Sequence, residues 1–316
     1  MKKLLLLLLA LLLTGCSIVR DPLNEAITPL AEGMEAPQPD APDFLISQDV
    51  VTLWFRYLDE PLLAPETRAL SLSPDRPMEV SLLTALLAGP DVQSTELTGL
   101  FPAGTRVLST VRQGRTLFVT LSRQIMDAYP DEPQDWRRDP YWSTEALLRR
   151  RLCMQSLVAT ITENCDIDTV QVLVEQHDVA TDSLRLRQRY YLTTDGNELA
   201  DALLRNDQLL LSPGTAMSTI LTLWQKRDWP RLQRYMVSTE DEETLPSRLD
   251  ALPHLLNFTL TGPTITDQTA TFTMTATVRG EAGTTTATSR VLRLYQERGL
   301  WRVTFEQLAG WLEVSP

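Results

Sequence analysis

The chain contains little lysine, histidine or cysteine. Of its 316 residues, three are Lys, two are His and three are Cys, whereas 41 Asp and Glu stand against 29 Lys and Arg. The net charge of −12 repels the phosphate backbone of nucleic acids, which argues against nucleic acid as a partner. With only His177 and His254 present, histidine offers few candidates for a general base or a metal ligand.

The longest apolar run, residues 4–13, is too short to span a hydrocarbon core but suits a signal peptide. It follows Lys2 and Lys3 and ends in Leu-Thr-Gly-Cys, which resembles the lipobox of bacterial lipoproteins. The resemblance implies a signal peptide at 1–15 and a diacylglyceryl anchor on Cys16. The predicted location is the extracytoplasmic face of the membrane. A plain secretory signal with an incidental cysteine is the alternative.

Four further segments follow from composition and pattern. Residues 16–47 carry five prolines and several like charges, which predicts a lipid-anchored disordered linker with a reach of roughly 30 Å. Cleavage before Cys16 would remove two lysines and leave a net charge of −14. The predicted folded parts are a first domain at 48–178, a connector at 179–211 and a second domain at 212–316.

The first domain is predicted to be α+β. Its order, βαββαβ, matches a split βαβ unit with helices on one face of a small sheet. Gly89 and Pro90 end the first helix, and Gly114 supplies a tight hairpin turn. A loop is predicted after the first strand, and 131–140 is predicted to be an exposed insertion. The predicted strands lie at 50–57, 106–111, 116–121 and 169–175, and the helices at 78–88 and 144–162.

The second domain is predicted to begin with two helices and to continue as a curved antiparallel sheet. Ser212 is the expected N-cap of one helix, with Pro213 at its first position, and Asp228 with Pro230 opens the next. Alternating apolar residues predict the strands at 255–261, 270–278, 285–295 and 301–305.

The cysteines do not form a recognisable metal or redox pattern. Cys153, Cys165 and His177 are separated by eleven residues each, unlike the close spacing of zinc sites. A disulfide between Cys153 and Cys165 would have to cross about 15 Å along one helix. We therefore predict two free thiols, no metal and no cofactor.

Five short motifs follow one another in the first domain, at 50–57, 63–68, 86–90, 101–105 and 119–122. In this order they resemble the GerMN domain of sporulation and germination lipoproteins, although Phe101 stands where isoleucine is expected and Thr120 where aspartate is. The resemblance implies an extracytoplasmic domain that docks with envelope or spore-assembly proteins, without a catalytic residue. The motif residues with a structural or partner-binding role are Glu66, Arg68, Gly89, Pro90, Pro102 and Gly104.

The second domain resembles the nuclear-transport-factor-2-like cone, some members of which are isomerases or hydratases. A histidine base inside the cone would have to be His254, whereas Asp228 suits a helix cap better than a base. A cone interior filled by Trp224, Phe272, Leu292 and Leu294 would leave no room for a substrate.

The predicted function is therefore binding, without enzymatic activity. The expected partners are the membrane, through the lipid, and envelope or spore-assembly proteins, with a homo-oligomer left open. An enzyme or a small-ligand site in the second domain is the alternative. A solute-capturing lipoprotein fits less well, because two unlike domains do not form a symmetric closing cleft.

Overall fold

The computed structural model describes residues 47–73, 75–176, 179–192, 196–279 and 285–311. Within these ranges there are twelve strands: β1 Ser47–Tyr57, β2 Leu63–Leu72, β3 Leu97–Thr98, β4 Val107–Gln113, β5 Thr116–Leu121, β6 Thr169–Gln176, β7 Val179–Arg185, β8 Leu203–Leu204, β9 His254–Thr266, β10 Thr269–Arg279, β11 Thr285–Glu297 and β12 Leu300–Arg302. The helices in these ranges are α1 Met78–Leu87, α2 Pro140–Asn164, α3 Pro213–Lys226, α4 Trp229–Gln233, α5 Leu245–Asp250 and α6 Phe305–Ala309. Four short 3-10 turns lie at Arg123–Met126, Trp136–Arg138, Gln188–Tyr190 and Asp207–Leu209.

The described strands form three sheets. One has the order β2-β1-β3, a second has the order β4-β5-β6-β7 with β8 also paired to β6, and the third has the order β12-β11-β10-β9. Every pairing is antiparallel except that between β5 and β6, which α2 connects as a crossover. This arrangement confirms the predicted α+β class.

The loop predicted after the first strand is wrong, because Leu63–Leu72 forms β2 and pairs with β1 along its length. Pro65 lies in this strand opposite Trp54. Because β2 is at the edge of its sheet, a residue without a backbone N–H is tolerated there. From Glu66 onward the residues of β2 alternate in burial as a strand requires, whereas Pro65 made the segment resemble a loop in the sequence.

Helix α2 covers the edge of β1 that β2 does not occupy. The backbone N–H of Trp54 donates to Thr160 Oγ1 at 3.1 Å, and the Trp54 carbonyl accepts from Ser156 Oγ at 2.6 Å. One turn further along, Thr52 exchanges two hydrogen bonds with the Asn164 side chain, at 3.0 and 2.8 Å. Side chains of a helix thus replace a neighbouring strand and satisfy backbone groups that would otherwise be buried without partners.

Two hydrophobic clusters form the core of the described chain. The first contains the apolar residues of β1, α1, α2, β5 and β6, and it includes Leu186, Tyr191, Ala200 and Leu210. The segment predicted as a connector therefore packs on the first cluster and adds β7 and β8 to its sheet. The boundaries at 178 and 212 stay a prediction.

The second cluster lies between α3 and the sheet of β9 to β12. Helix α3 begins as predicted, because Ser212 and Thr215 form a reciprocal capping box and Pro213 occupies the first helical position. Asp228 caps α4 by accepting from the Arg231 backbone N–H. Inward-facing residues alternate with threonines along β10, which gives the sheet one buried and one exposed face.

The two clusters are joined by the end of β1 and the turn after it. Tyr57 belongs to the second cluster, and its hydroxyl donates to the Arg234 carbonyl at 2.5 Å. The buried carboxylate of Glu60 accepts from Arg231 at 2.9 and 2.5 Å. Arg302 forms a bidentate pair with Glu96 at 2.6 Å. Consistent with these contacts, Ile46–Pro316 groups into one compact unit.

The contact between α2 and β1 predicts the effect of an isosteric change. Thr160→Val removes the acceptor of the buried Trp54 N–H, so the free energy of unfolding should fall by about 1–3 kcal/mol. Thr162→Val is the matched control, because the Thr162 hydroxyl bonds only within its own helix, and it should change stability by less than about 0.5 kcal/mol. Urea denaturation of both variants checks this. Equal losses of stability in the two variants would show that the hydrogen bond between Trp54 and Thr160 does not stabilise the fold.

Candidate functional site

Four of the residues predicted from sequence lie together at the end of α1. Glu66 on β2 accepts from Arg68 Nε at 2.8 Å through one carboxylate oxygen. Its other oxygen accepts from the backbone N–H of Asp91 at 2.8 Å, immediately after Pro90. Arg68 in turn donates to the Gly89 carbonyl at 3.0 Å. The ion pair therefore fixes the turn that contains Gly89 and Pro90, although the two motifs are more than twenty residues apart in sequence.

Gly89 adopts the backbone conformation that its position after the helix predicted. Its φ is +91°, in a region that L-residues rarely adopt, and its N–H donates to the Leu86 carbonyl at 3.1 Å. No atom lies within 4 Å of the position that a Cβ would take. Glycine is thus required here by backbone geometry rather than by lack of space.

Pro102 and Gly104 form a separate turn. The carbonyl of buried Pro102 accepts from both the N–H and the hydroxyl of Thr105, at 3.2 and 2.7 Å. Gly104 has a φ of +81°. These contacts give both residues a role in loop geometry, and a partner-binding role for the six motif residues stays a prediction.

The segment 131–140 is mostly exposed, as predicted, but two residues within it, Glu132 and Trp136, are buried. Glu132, whose side chain is 1% exposed, forms a bidentate ion pair with Arg150 of α2 at 2.6 and 2.7 Å. The Arg150 guanidinium lies 5.0 Å from the ring of Trp136, which is itself buried. A proline-bearing polar segment is typical of a surface loop, but Trp136 within it was the signal of an anchored one.

Tyrosines complete the surroundings of this ion pair. The ring centroids of Tyr190 and Tyr129 each lie 5.7 Å from the guanidinium carbon of Arg150. Their hydroxyls donate to the Ile125 and Leu100 carbonyls, at 2.5 and 2.8 Å. Burial raises the pKa of both tyrosines, so both stay neutral and act as hydrogen-bond donors. The cluster ties the turn 123–126, α2 and the segment after β7 together.

The remaining candidates for chemistry are isolated. Cys153 and Cys165 are free thiols, as predicted, and Cys153 is fully buried. Burial raises the pKa of both, to about 11 for Cys165, so neither is a thiolate at neutral pH. His254 is exposed at the start of β9. Cys16 and His177 lie outside the described residues.

The described part of the chain contains no group of three His, Cys, Asp or Glu side chains placed to hold a metal ion. Of its helices, none has the length and apolar character that crossing a membrane requires.

The interior of the second cluster is filled by large side chains. Trp224, Phe272, Leu292 and Leu294 are all at most 2% exposed. The Trp224 indole donates to the Pro253 carbonyl at 3.0 Å and packs edge-on against Trp311, with ring centroids 6.1 Å apart. These side chains occupy the space that a substrate inside a cone would need.

Comparison with known proteins points to one family. Residues 57–180 match the family described as Germane, sporulation and spore germination. This range holds β2, α1 and the strands from β3 to β6, and it includes the six motif residues. No curated protein sequence matches the chain with significance.

Solved structures with distant similarity include two of the sporulation protein GerM from Bacillus subtilis. Its tandem GerMN domains are 14% identical over 57% of this chain and 51% of that one, with a TM-score of 0.35, so the chain spans about half of that structure. Its first GerMN domain is 17% identical over 50% of this chain and 98% of that one, with a TM-score of 0.30. A SEC-C motif containing protein from Rhodopseudomonas palustris is 14% identical over 30% of this chain and 76% of that one, with a TM-score of 0.26.

Substitution of Gly89 tests the backbone requirement. Gly89→Ala should lower the free energy of unfolding by about 1–2 kcal/mol, because alanine must adopt positive φ. Gly214→Ala is the control, since Gly214 lies inside α3 without positive φ and alanine there should be neutral or slightly stabilising. Thermal unfolding of both variants measures the difference. An unchanged melting temperature for Gly89→Ala would contradict the strained turn.

Substitution of Glu132 tests the buried ion pair. Glu132→Ala leaves the Arg150 guanidinium buried without a counter-charge, which should lower stability by about 3–5 kcal/mol. The neighbouring Asp131 pairs with Arg149 but is 56% exposed, so Asp131→Ala should cost less than about 1 kcal/mol. Chemical denaturation compares the two. Similar losses of stability in both variants would show that the buried pair of Glu132 and Arg150 contributes no more to stability than the exposed pair of Asp131 and Arg149.

Proposed function

We propose that this protein is a membrane-anchored, extracytoplasmic lipoprotein that binds other proteins during sporulation or germination and catalyses no reaction. The single observation that carries the proposal is the match of residues 57–180 to the Germane family, whose description names sporulation and spore germination. The expected partners are envelope or spore-assembly proteins, and the oligomeric state is left open.

The roles of the polar residues support binding rather than chemistry. Glu66 and Arg68 hold a turn, Glu132 and Arg150 hold a loop, and Asp228 caps a helix. Each of these groups is occupied by protein contacts. The filled interior of the second cluster also favours a protein that offers its outer surfaces to partners.

The proposed anchor rests on the sequence Leu-Thr-Gly-Cys after a ten-residue apolar run. Two acyl chains on Cys16 would give stable membrane attachment. The linker that follows, at 16–47, would let the folded unit reach partners at a distance of roughly 30 Å from the bilayer. Attachment of this kind raises the effective concentration of the protein near membrane-bound partners.

Localisation in the native host tests both parts of the proposal. A fluorescent fusion to the C-terminus should be enriched at the engulfing septum when cells pass from growth into starvation. Cys16→Ala should move the protein out of the membrane fraction and abolish that enrichment, because the acylated thiol is the proposed anchor.

Circular dichroism and thermal unfolding of Cys16→Ala serve as the control that the variant is folded. Retention of Cys16→Ala in the membrane fraction would contradict lipid anchoring. A uniform envelope signal at every stage of growth and starvation would contradict a role in sporulation.

A further inference from the structure

A groove of about 790 Å³ lies beside β6 and β7, on the side of the 3-10 turns. We call it the arginine groove, because five arginines line it, whereas Glu175 is the single acidic residue among the described residues of its wall. The chain as a whole has a net charge of −12, so the groove is a positively charged region of an acidic protein. The five arginines are Arg123, Arg137, Arg185, Arg187 and Arg189.

Three of the guanidinium groups are held in place by the fold. Arg185 donates to the Ala200 carbonyl at 3.1 and 2.5 Å, and Arg187 donates to the Asn197 carbonyl at 2.5 Å. Arg137 stacks on Trp136, with its guanidinium carbon 4.3 Å from the ring centroid. Groups fixed in this way lose little conformational entropy when they bind a ligand.

The groove also retains charge that the protein itself does not neutralise. Among the described residues, no acidic side chain forms an ion pair with Arg123, Arg137 or Arg189. All three arginines are exposed. Glu175 accepts a hydrogen bond from the Arg123 backbone N–H at 3.0 Å, which leaves the Arg123 guanidinium free to contact a ligand. Each guanidinium carries five N–H donors in a fork that matches a carboxylate.

Besides the arginines, Glu175 and Gln176, the groove is lined by apolar and aromatic side chains. Val174 and Leu186 form buried parts of its wall, whereas Met126 and Leu184 are 46% and 52% exposed. Tyr190, whose ring lies beside Arg150, completes the surface. A ligand that fits must therefore bring apolar groups as well as negative charge.

We propose that the arginine groove binds an acidic segment of a partner protein, in which aspartate or glutamate side chains occur beside apolar ones. The inference rests on the proposed protein-binding function and adds to it the place of contact and the chemistry of the partner. Carboxylates pair with the exposed guanidinium groups, and the apolar side chains cover Met126 and Leu184.

A phosphate polymer or an anionic membrane fits the groove less well. Such ligands extend beyond the five arginines and would meet the acidic surface of the rest of the chain, which repels them over a Debye length of about 8 Å. Neither brings side chains that alternate between acidic and apolar character. A short protein segment satisfies both the charge and the apolar wall.

Binding of a synthetic probe to the full chain, kept in neutral detergent, tests the proposal. The probe is a fluorescein-labelled peptide in which glutamate and leucine alternate, and anisotropy gives its Kd. Arg123→Gln combined with Arg189→Gln should weaken binding about tenfold or more, because two charge-assisted contacts are lost. Neither arginine has a side-chain contact that holds the fold among the described residues, so the variant should remain folded.

The matched control removes two exposed arginines elsewhere. Arg279→Gln combined with Arg293→Gln causes the same change of net charge on the third sheet and should alter Kd less than twofold. A peptide of alternating glutamine and leucine should bind at least about tenfold more weakly than the acidic one. Equal binding by the two peptides, or equal effects of the two double variants, would overturn the proposal.

Two further ligands test whether the groove prefers carboxylates of a protein segment to phosphate groups of a polymer or a lipid. Inorganic polyphosphate and phosphatidylglycerol incorporated into the detergent micelles should compete poorly with the acidic peptide. If either bound more tightly and lost affinity in Arg123→Gln/Arg189→Gln, the groove would be a site for that ligand and the proposal would be wrong.

The same double variant distinguishes this inference from the proposed function. A photo-crosslinking residue at Leu184 should yield septal protein adducts in cells, and Arg123→Gln/Arg189→Gln should remove them. If the variant kept septal localisation and unchanged adducts, protein binding would stand and the arginine groove would be excluded as its site. If the fusion never reached the septum while the purified groove still bound the acidic peptide, the sporulation role alone would fail.

Discussion

The edge of β1 is the constraint on which the first half of the structure depends. This strand is buried almost throughout its C-terminal part, and only Arg56 and Tyr57 pair with β3. The backbone groups of Thr52 and Trp54 would lie in the core without partners if α2 were not placed against them. Ser156, Thr160 and Asn164 supply those partners. The position of the C-terminal part of α2 thus follows from the need to satisfy these backbone groups.

The positions of the motif residues follow from the same strand. Pairing with β1 sets the register of β2, and this register brings Glu66 and Arg68 beside the turn after α1. The motif residues therefore stabilise the scaffold of the first half of the structure. The surface that we propose for binding lies elsewhere, where β6, β7 and three 3-10 turns bring together arginines that share no sequence motif.

The end of β1 also couples the two hydrophobic clusters. Tyr57 packs edge-on against Tyr235, with ring centroids 5.5 Å apart, and Glu60 lies buried between residues of both halves. A buried carboxylate of this kind is stable only while its arginine partners remain in place. Movement of one half against the other would expose it, so the two predicted domains behave as a unit that presents fixed surfaces.

The sequence by itself determined the α+β class, the helix at Ser212, the cap at Asp228 and the positive φ of Gly89, because each depends on local patterns or on backbone geometry. It also led to the prediction of two free thiols, from the rise per residue along a helix. Only the tertiary structure decided that Pro65 lies in a strand, that Glu132 is buried and that five arginines share one groove. Those features arise from contacts between residues far apart in the chain, and local periodicity carries no information about which distant side chains meet.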